Sequence, residues 1–381
     1  MTTDVIVAGA GPVGLAAALT LARAGVSVLV LECAAALGSG SRAATIHPAT
    51  LDVLDDLEVA AQLVAYGLIV DRLQWRDLSG TVLAEMPMAA LDGLTGHPFR
   101  LHVEQPVLTR LLLDALDPYP EAVVRFGARI ESVTDTGATV GVRTSNGRER
   151  AQYLVAADGA HSAVRASLGL SVRRSVYPTQ ALRIFTRSPL GELLPGLAPV
   201  TYIRDPVQSC SLLRLPDHWR IILRLAPGES MPQRVAGLEL RDLNVIGLHR
   251  YHLATGVLGA FRHGRVLFAG DAAHVTSTAG GLNMNAGIHD AVDLGRTLAD
   301  VLTGPAAPTA LDSWARRRRA VVIDHVVPTS EARVVGVQDG EAARLPAAVA
   351  TLRAIAADGE ATRAYLAKAS MLDTIPANTG N

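Results

Sequence analysis

The stretch Asp4-Val5-Ile6-Val7-Ala8-Gly9-Ala10-Gly11-Pro12-Val13-Gly14 opens the chain, and Glu32 ends the next apolar run. Val5, Ile6 and Val7 read as a buried parallel strand, since the run has no polar face to turn to water. Gly9-x-Gly11-x-x-Gly14 reads as a tight turn, and Leu15 to Ala24 as the helix that follows. Gly9 permits the turn, Gly11 lets the backbone approach a pyrophosphate, and Gly14 lets helix and strand pack closely. The helix N-terminus adds unpaired N–H groups for the phosphates. Val26 to Leu31 forms a second strand and delivers Glu32 18 residues past Gly14, near the spacing of ~20 at which an acid meets a ribose. A glycine triplet alone is a tight strand-to-helix turn. With both strands, the helix and the acid in place, the stretch predicts a dinucleotide site.

Composition narrows the class. A chain of 381 residues supports about two to three domain-sized units of ~150 residues each. Lysine and arginine number 35 against 36 acidic residues, which argues against a general attraction to nucleic acid or to an anionic membrane. The basic run Arg316 to Arg319 follows Trp314 and reads as a solvated helix face. Cys33 and Cys210, the only cysteines, have neither CxxC nor metal-ligand spacing, so a reduced, cytoplasmic protein without a metal site is expected. The apolar N-terminus lacks a basic n-region and is interrupted by Asp4, Arg23 and glycines, so it reads as strand and helix rather than as a signal peptide. No other uncharged run is long enough to span a bilayer.

Two later segments repeat the pattern of a buried strand ending in an acid. Tyr153-Leu154-Val155-Ala156-Ala157-Asp158-Gly159 runs into a new helix, and Arg265-Val266-Leu267-Phe268-Ala269-Gly270-Asp271 leads to His274. The latter continues into Gly280-Gly281-Leu282-Asn283-Met284-Asn285 and a helix to about Leu302. Ahead of both lie helix-like stretches, Ala49 to Leu57 and Pro106 to Leu116, the second just after Gln105. Asp158 also suits a helix cap, and His274 reads as a packed, hydrogen-bonded histidine rather than a base.

With these three ordered motifs the chain, from Asp4 to about Arg319, resembles the single-component FAD-dependent aromatic hydroxylases related to p-hydroxybenzoate hydroxylase. The resemblance implies an α/β fold: a Rossmann-like FAD-binding domain of the GR2 flavoprotein type, an interleaved β-sheet substrate domain and a helical C-terminus. It implies that Gly9, Gly11, Pro12, Val13, Gly14, Glu32 and Arg42 hold the ADP half of a non-covalent FAD, with Gln105 near the middle of the cofactor. Asp271, after Gly270, matches the acid on the ribityl chain, and Asp158 belongs to the family's Asp-Gly motif. Gly280 to Asn285 match the loop and helix start beside the flavin, where Gly281 and the backbone N–H groups of Met284 and Asn285 are expected to support the charge that builds up on reduction. Relatives usually carry proline after the position of His274, and here Ser277-Thr278 stands instead. A looser loop is therefore expected, with Thr278 and Asn283 as candidate catalytic side chains.

The intervening sequence alternates like a sheet broken by prolines, most clearly from His218 to Ala226, where Ile221, Leu223 and Leu225 point one way and Arg220, Ile222 and Arg224 the other. The expected division is 1–67, 101–170 and 258–331 for the cofactor domain, 68–100 and 171–257 for the substrate sheet, and 332–381 for a helical segment without the thioredoxin-like domain of some larger relatives. Tyr202, Arg183 and Arg214 are expected to line the substrate site. The implied activity is hydroxylation of a phenolic or polycyclic aromatic small molecule, in which NADH or NADPH docks transiently, O2 adds at flavin C4a, and the hydroperoxide transfers oxygen. Two alternatives share the fold: a flavoprotein dehydrogenase, oxidase or reductase without oxygen transfer, and a non-enzymatic flavin- or ligand-binding protein.

Overall fold

The computed structural model, which describes residues 3–40, 42–334 and 344–375, puts Thr3–Ala8 inside an eight-stranded sheet. Its parallel neighbours are Val28–Leu31 and Gly147–Ala156, with Ala122–Arg125 and Val266–Phe268 parallel beyond them. Parallel strands all end on one side. The turns at Gly9, Glu32, Asp158 and Gly270-Asp271 therefore gather at the carboxyl edge of one sheet, although they are far apart in sequence. Val5, Ile6 and Val7 are fully buried, as an apolar run covered on both faces requires.

The helix Pro12–Arg23 packs under this edge against the long helix Leu282–Thr303. Two glycines set the closeness. A Cβ on Gly14 would stand 1.9 Å from the Gly9 carbonyl oxygen, and one on Gly9, at φ +98°, would stand 2.6 Å from that of Ala157.

A second eight-stranded sheet covers the carboxyl edge, in the order His274–Val275, Val245–Val257, Ser175–Thr186, Trp219–Leu225, Cys210–Arg214, Val200–Ile203, Arg72–Arg76, Val82–Pro87. Two boundaries differ from the sequence reading. Leu68–Val70 pairs with Arg100–His102 in a separate three-stranded sheet with Thr45–Ile46, and Asp71, outside both strands, separates it from Arg72–Arg76. His274–Val275, from the cofactor segment, extends the cover by pairing with Gly256 and Val257. The tail contributes the helices Val327–Val334, Leu345–Ala357 and Gly359–Ala369; the remainder of the expected helical segment, 335–343 and 376–381, lies outside the described residues.

One of the four arginines in the basic run is not solvated. Arg316 and Arg317 are exposed, but Arg318 is 1% exposed and donates from Nε to Asp290 at 2.8 Å and from Nη1 to the Thr374 carbonyl at 2.8 Å. Helical phase is the reason: Arg318 lies four residues after Trp314, on the same buried face. Asp290 is itself fully buried and also accepts from the Gly270 backbone N–H at 3.2 Å and bonds His274 Nε2 at 2.7 Å. Burial alone would raise the Asp290 carboxyl, but Arg318 and His274 outweigh it and hold the group ionised.

Arg318→Ala strands that carboxylate, and should cost about 3–5 kcal/mol in equilibrium urea unfolding. A loss below about 1 kcal/mol would show that Asp290 finds compensation elsewhere.

Candidate functional site

Between the two sheets lies a cavity of about 500 Å³. One wall is the carboxyl edge: Gly9, Gly11, Pro12, Val13, Glu32, Arg42, Gln105, Asp158 and Asp271 all line it, with the loop and helix start Thr278 to Met284. The other is the inner face of the covering sheet. Ile221, Leu223 and Leu225 pack into that sheet's own core, while Arg220, Ile222 and Arg224 face the cavity. The alternation identified two faces; burial decides which one looks inward.

Each motif contributes a different chemical surface. At the glycine turn Glu32 accepts from the backbone N–H groups of Ala10 and Ala34, both at 2.8 Å. Gly11 has extended backbone at φ −78°, and a Cβ there would meet nothing within 4 Å. Asp158 accepts from the Val164 N–H at 3.1 Å through one oxygen, while its other oxygen is buried without a partner. Ser162 caps the same helix through the Arg165 N–H. Burial raises the carboxyls of both Asp158 and Asp271 above their ordinary range. A hydroxyl or other donor placed against either would relieve that cost.

Thr278 to Asn285 differs in part from expectation. Leu282–Thr303 begins after Gly281, which has φ +68°. The first-turn N–H groups of Leu282, Asn283 and Met284 precede the first intrahelical bond, whereas that of Asn285 falls within the ladder. Asn285 is not a cavity donor. Its buried side chain accepts from the His47 N–H and donates to the carbonyls of Thr45 and Gly281. Asn283 is committed as well, its Oδ1 accepting from the Thr276 N–H and hydroxyl. Thr278 is exposed, with its hydroxyl 3.3 Å from that of Tyr251. The proline-free loop is tied at Ser277, whose hydroxyl lies 2.6 Å from that of Ser330.

Of the three expected substrate-side residues, Tyr202 and Arg183 line the cavity. Arg183 donates to the Arg42 carbonyl at 3.0 Å and lies over the Tyr251 ring. Arg214 does not belong there: it is exposed at a strand end, and its neighbour Leu213 takes the inward face. Sequence reasoning missed Arg100 and His102. Both line the cavity, and the i, i+2 spacing of two polar residues ahead of Gln105 was their only signal. It also missed Glu104, which precedes the helix Gln105–Asp114, pairs with Arg220 of the covering sheet and lies 3.2 Å from His218. Burial pushes the Glu104 carboxyl up, but His218 and Arg220 outweigh it and leave it below the usual range.

Among the described residues no His, Cys, Asp or Glu cluster is placed to hold a metal, and no helix is long and apolar enough to cross a membrane. A family model described as FAD binding domain matches residues 2–220 and 229–328. A para-nitrophenol 4-monooxygenase from Pseudomonas sp. (strain WBC-3) is 28% identical over 366 residues, covering 89% of this chain and 88% of its own. A 6-hydroxy-3-succinoylpyridine 3-monooxygenase from Pseudomonas putida is 31% identical, covering 86% and 87%. The crystal structure of a p-nitrophenol 4-monooxygenase from Pseudomonas putida DLL-E4 superposes with a TM-score of 0.91 at 26% identity, covering 98% of both chains.

Three buried histidines, of which His102 lines the cavity, are held neutral by burial. His47 falls well below its ordinary range, His102 to about 4 and His289 to about 3. In the unfolded chain each titrates near ~6.5. Their contribution to stability is complete above that pH and is lost progressively as pH falls from there towards the folded values, because over that range only the unfolded chain takes up the protons. The melting temperature should therefore fall steeply between about pH 6.5 and 5, before most carboxylates titrate. A flat melting temperature across that window would mean that the rings are solvated.

Proposed function

The chain belongs to the family of single-component FAD-dependent aromatic hydroxylases, and on that premise we propose that its cavity hydroxylates a phenolic ring at the expense of NADH or NADPH. The carrying observation is that three acid-tipped strand ends and one helix N-terminus line a single cavity roofed by a sheet with apolar patches at Val200, Leu213 and Ile222. The residues present fit FAD. Gly11 is open on the side that a pyrophosphate would take, Glu32 stands at the end of the second strand for a ribose, and the orphaned oxygen of Asp158 is an unused acceptor.

When bound, reduced FAD supplies the electrons and the activation of O2 that put one oxygen atom on the ring. The chain's own residues bind, orient and shield. Gly9, Gly11, Pro12, Val13 and Gly14 would hold the pyrophosphate, Glu32 and Arg42 the adenosine half, and Gln105, Asp158, Gly270 and Asp271 the middle and ribityl chain. Leu282, Asn283 and Met284 offer first-turn N–H groups to the flavin edge. Negative charge there gains roughly 0.3–1 kcal/mol, or ~2 where partly buried. The covering sheet excludes water, with Tyr202 and Arg183 on the substrate side.

The domain division belongs to the same proposal, with Leu68–Val70 moved to the cofactor side. So does a cytoplasmic location, supported by the separation of exposed Cys33 from buried Cys210.

Oxygen uptake with NADH or NADPH, with and without phenols, followed by product mass, tests the reaction. A gain of one oxygen is expected; substrate dehydrogenation without it would replace the hydroxylase reading.

Gly11→Val and Gly14→Ala should separate cofactor from chain. The first adds a side chain where the chain itself has room, so the protein should fold and bind FAD at least about tenfold more weakly. The second runs into the Gly9 carbonyl and should lower stability as well. FAD titration and thermal melts check both, and wild-type affinity in Gly11→Val would displace the phosphate from this turn.

A further inference from the structure

At the Tyr202 end of the cavity three arginines meet without an acid. Arg100 is 1% exposed and Arg204 8%. Arg100 donates from Nη1 to the Tyr202 hydroxyl at 3.5 Å and from Nη2 to the Ala369 carbonyl at 3.3 Å. Arg333 reaches the same Ala369 carbonyl, also at 3.3 Å, and Arg204 lies over the Tyr202 ring at 5.2 Å. Among the described residues no carboxylate stands within ion-pair distance of any of the three. The groups acting on Arg100 are Tyr202, Tyr365 and the like charge of Arg333. Arg100 Nε and Arg333 Nη1 are buried without partners.

Burying several like charges is costly unless something offsets them. The offset within the chain is partial: Ala369 closes the helix Gly359–Ala369, and a helix C-terminus carries only about half a negative charge. Tyr202 and Tyr365 are neutral partners. Burial raises Tyr202, but Arg100, Arg333 and Arg204 outweigh that and lower it, as a surplus of positive potential must. Both Arg100 and Tyr202 line the cavity, beside the apolar side chains of Val200 and Leu213. An aromatic body thus has an apolar wall to lie on and a cationic end to reach.

We propose that Arg100, backed by Arg333 and Arg204, is the specificity-determining residue of an anion subsite, so that the preferred substrate is an aromatic ring bearing a carboxylate or phenolate directed at Arg100. The inference rests on the hydroxylase reading for the word substrate, and on the cavity alone for the anion. A carboxylate or phenolate oxygen reaching the Arg100 guanidinium from the cavity would supply the charge that the surrounding side chains lack.

The test is binding to the FAD-loaded protein, followed by flavin absorbance or calorimetry, with no reductant present. Benzoate is compared with benzamide, naphthalene-2-carboxylate with its carboxamide, and 4-nitrophenol is titrated across its own ionisation. At least one anion should bind about tenfold or more tightly than its neutral counterpart. The 4-nitrophenol arm separates phenolate from carboxylate preference. In Arg100→Gln the preference should fall below about threefold, and Arg100→Lys should retain part of it, with FAD content equal to wild type. No anion binding more tightly than its neutral counterpart overturns the subsite on wild-type protein alone, whatever the variants do. An undiminished preference in Arg100→Gln overturns the role of Arg100. Because turnover is not needed, anion preference without oxygen transfer would keep the subsite and remove the hydroxylase reading, while hydroxylation without anion preference would do the reverse.

Discussion

The buried carboxylate of Asp290 is the constraint on which the site depends. It sits on the inward face of the helix whose N-terminus borders the cavity, and it holds the Gly270 backbone, the His274 ring and the Arg318 guanidinium at once. Through Gly270 it fixes where Asp271 stands; through Arg318 it ties the helix Ala310–Val321 to Thr374. Breaking one bond would leave a fully buried charge short of a partner, so the positions are coupled rather than merely adjacent.

The carboxyl-edge wall and the covering wall are built on opposite principles. The first uses backbone: strand ends, glycine turns and a helix terminus, all held by central parallel strands that are buried on both faces. The second uses side chains standing on one face of a mostly antiparallel sheet, where every second residue can change without disturbing the core beneath. The ion pair of Glu104 with Arg220 ties the covering sheet to the start of the helix Gln105–Asp114. Chemistry common to a fold can therefore reside in one wall and selectivity in the other.

What could be read from the sequence follows the same division. Gly9 to Gly14, Glu32, Asp158 and Gly270-Asp271 were legible because their geometry is local: a strand, a turn and a helix within a dozen residues each. The faces of Trp219–Leu225 were legible as faces but not as inside and outside, since period two is symmetric until a partner is known. Arg214 and Arg220 look equivalent in sequence, yet one ends a strand in solvent and the other pairs with Glu104. Arg318 was hidden by its neighbours, as a basic run suggests water until helical phase against Trp314 is considered. Arg100 and Arg333 lie more than two hundred residues apart, and only folding gives them the same carbonyl.

The tether between Arg318 and Thr374 also bears on how the molecule comes into being. A ribosome releases about 5–20 residues per second, so the opening strand and its glycine turn wait roughly 20–70 seconds for the end of the described chain to emerge. Val5, Ile6 and Val7 have Val28–Leu31 beside them early, but gain Gly147–Ala156 on the other edge only after residue 156 has emerged, and Asp290 has no guanidinium until Arg318 follows it. Nascent chains should accordingly pass through a long interval with an unfinished parallel sheet. Such an interval favours assistance from chaperones and makes loss of the last helices an assembly defect, even though those helices lie outside the nucleotide fingerprint.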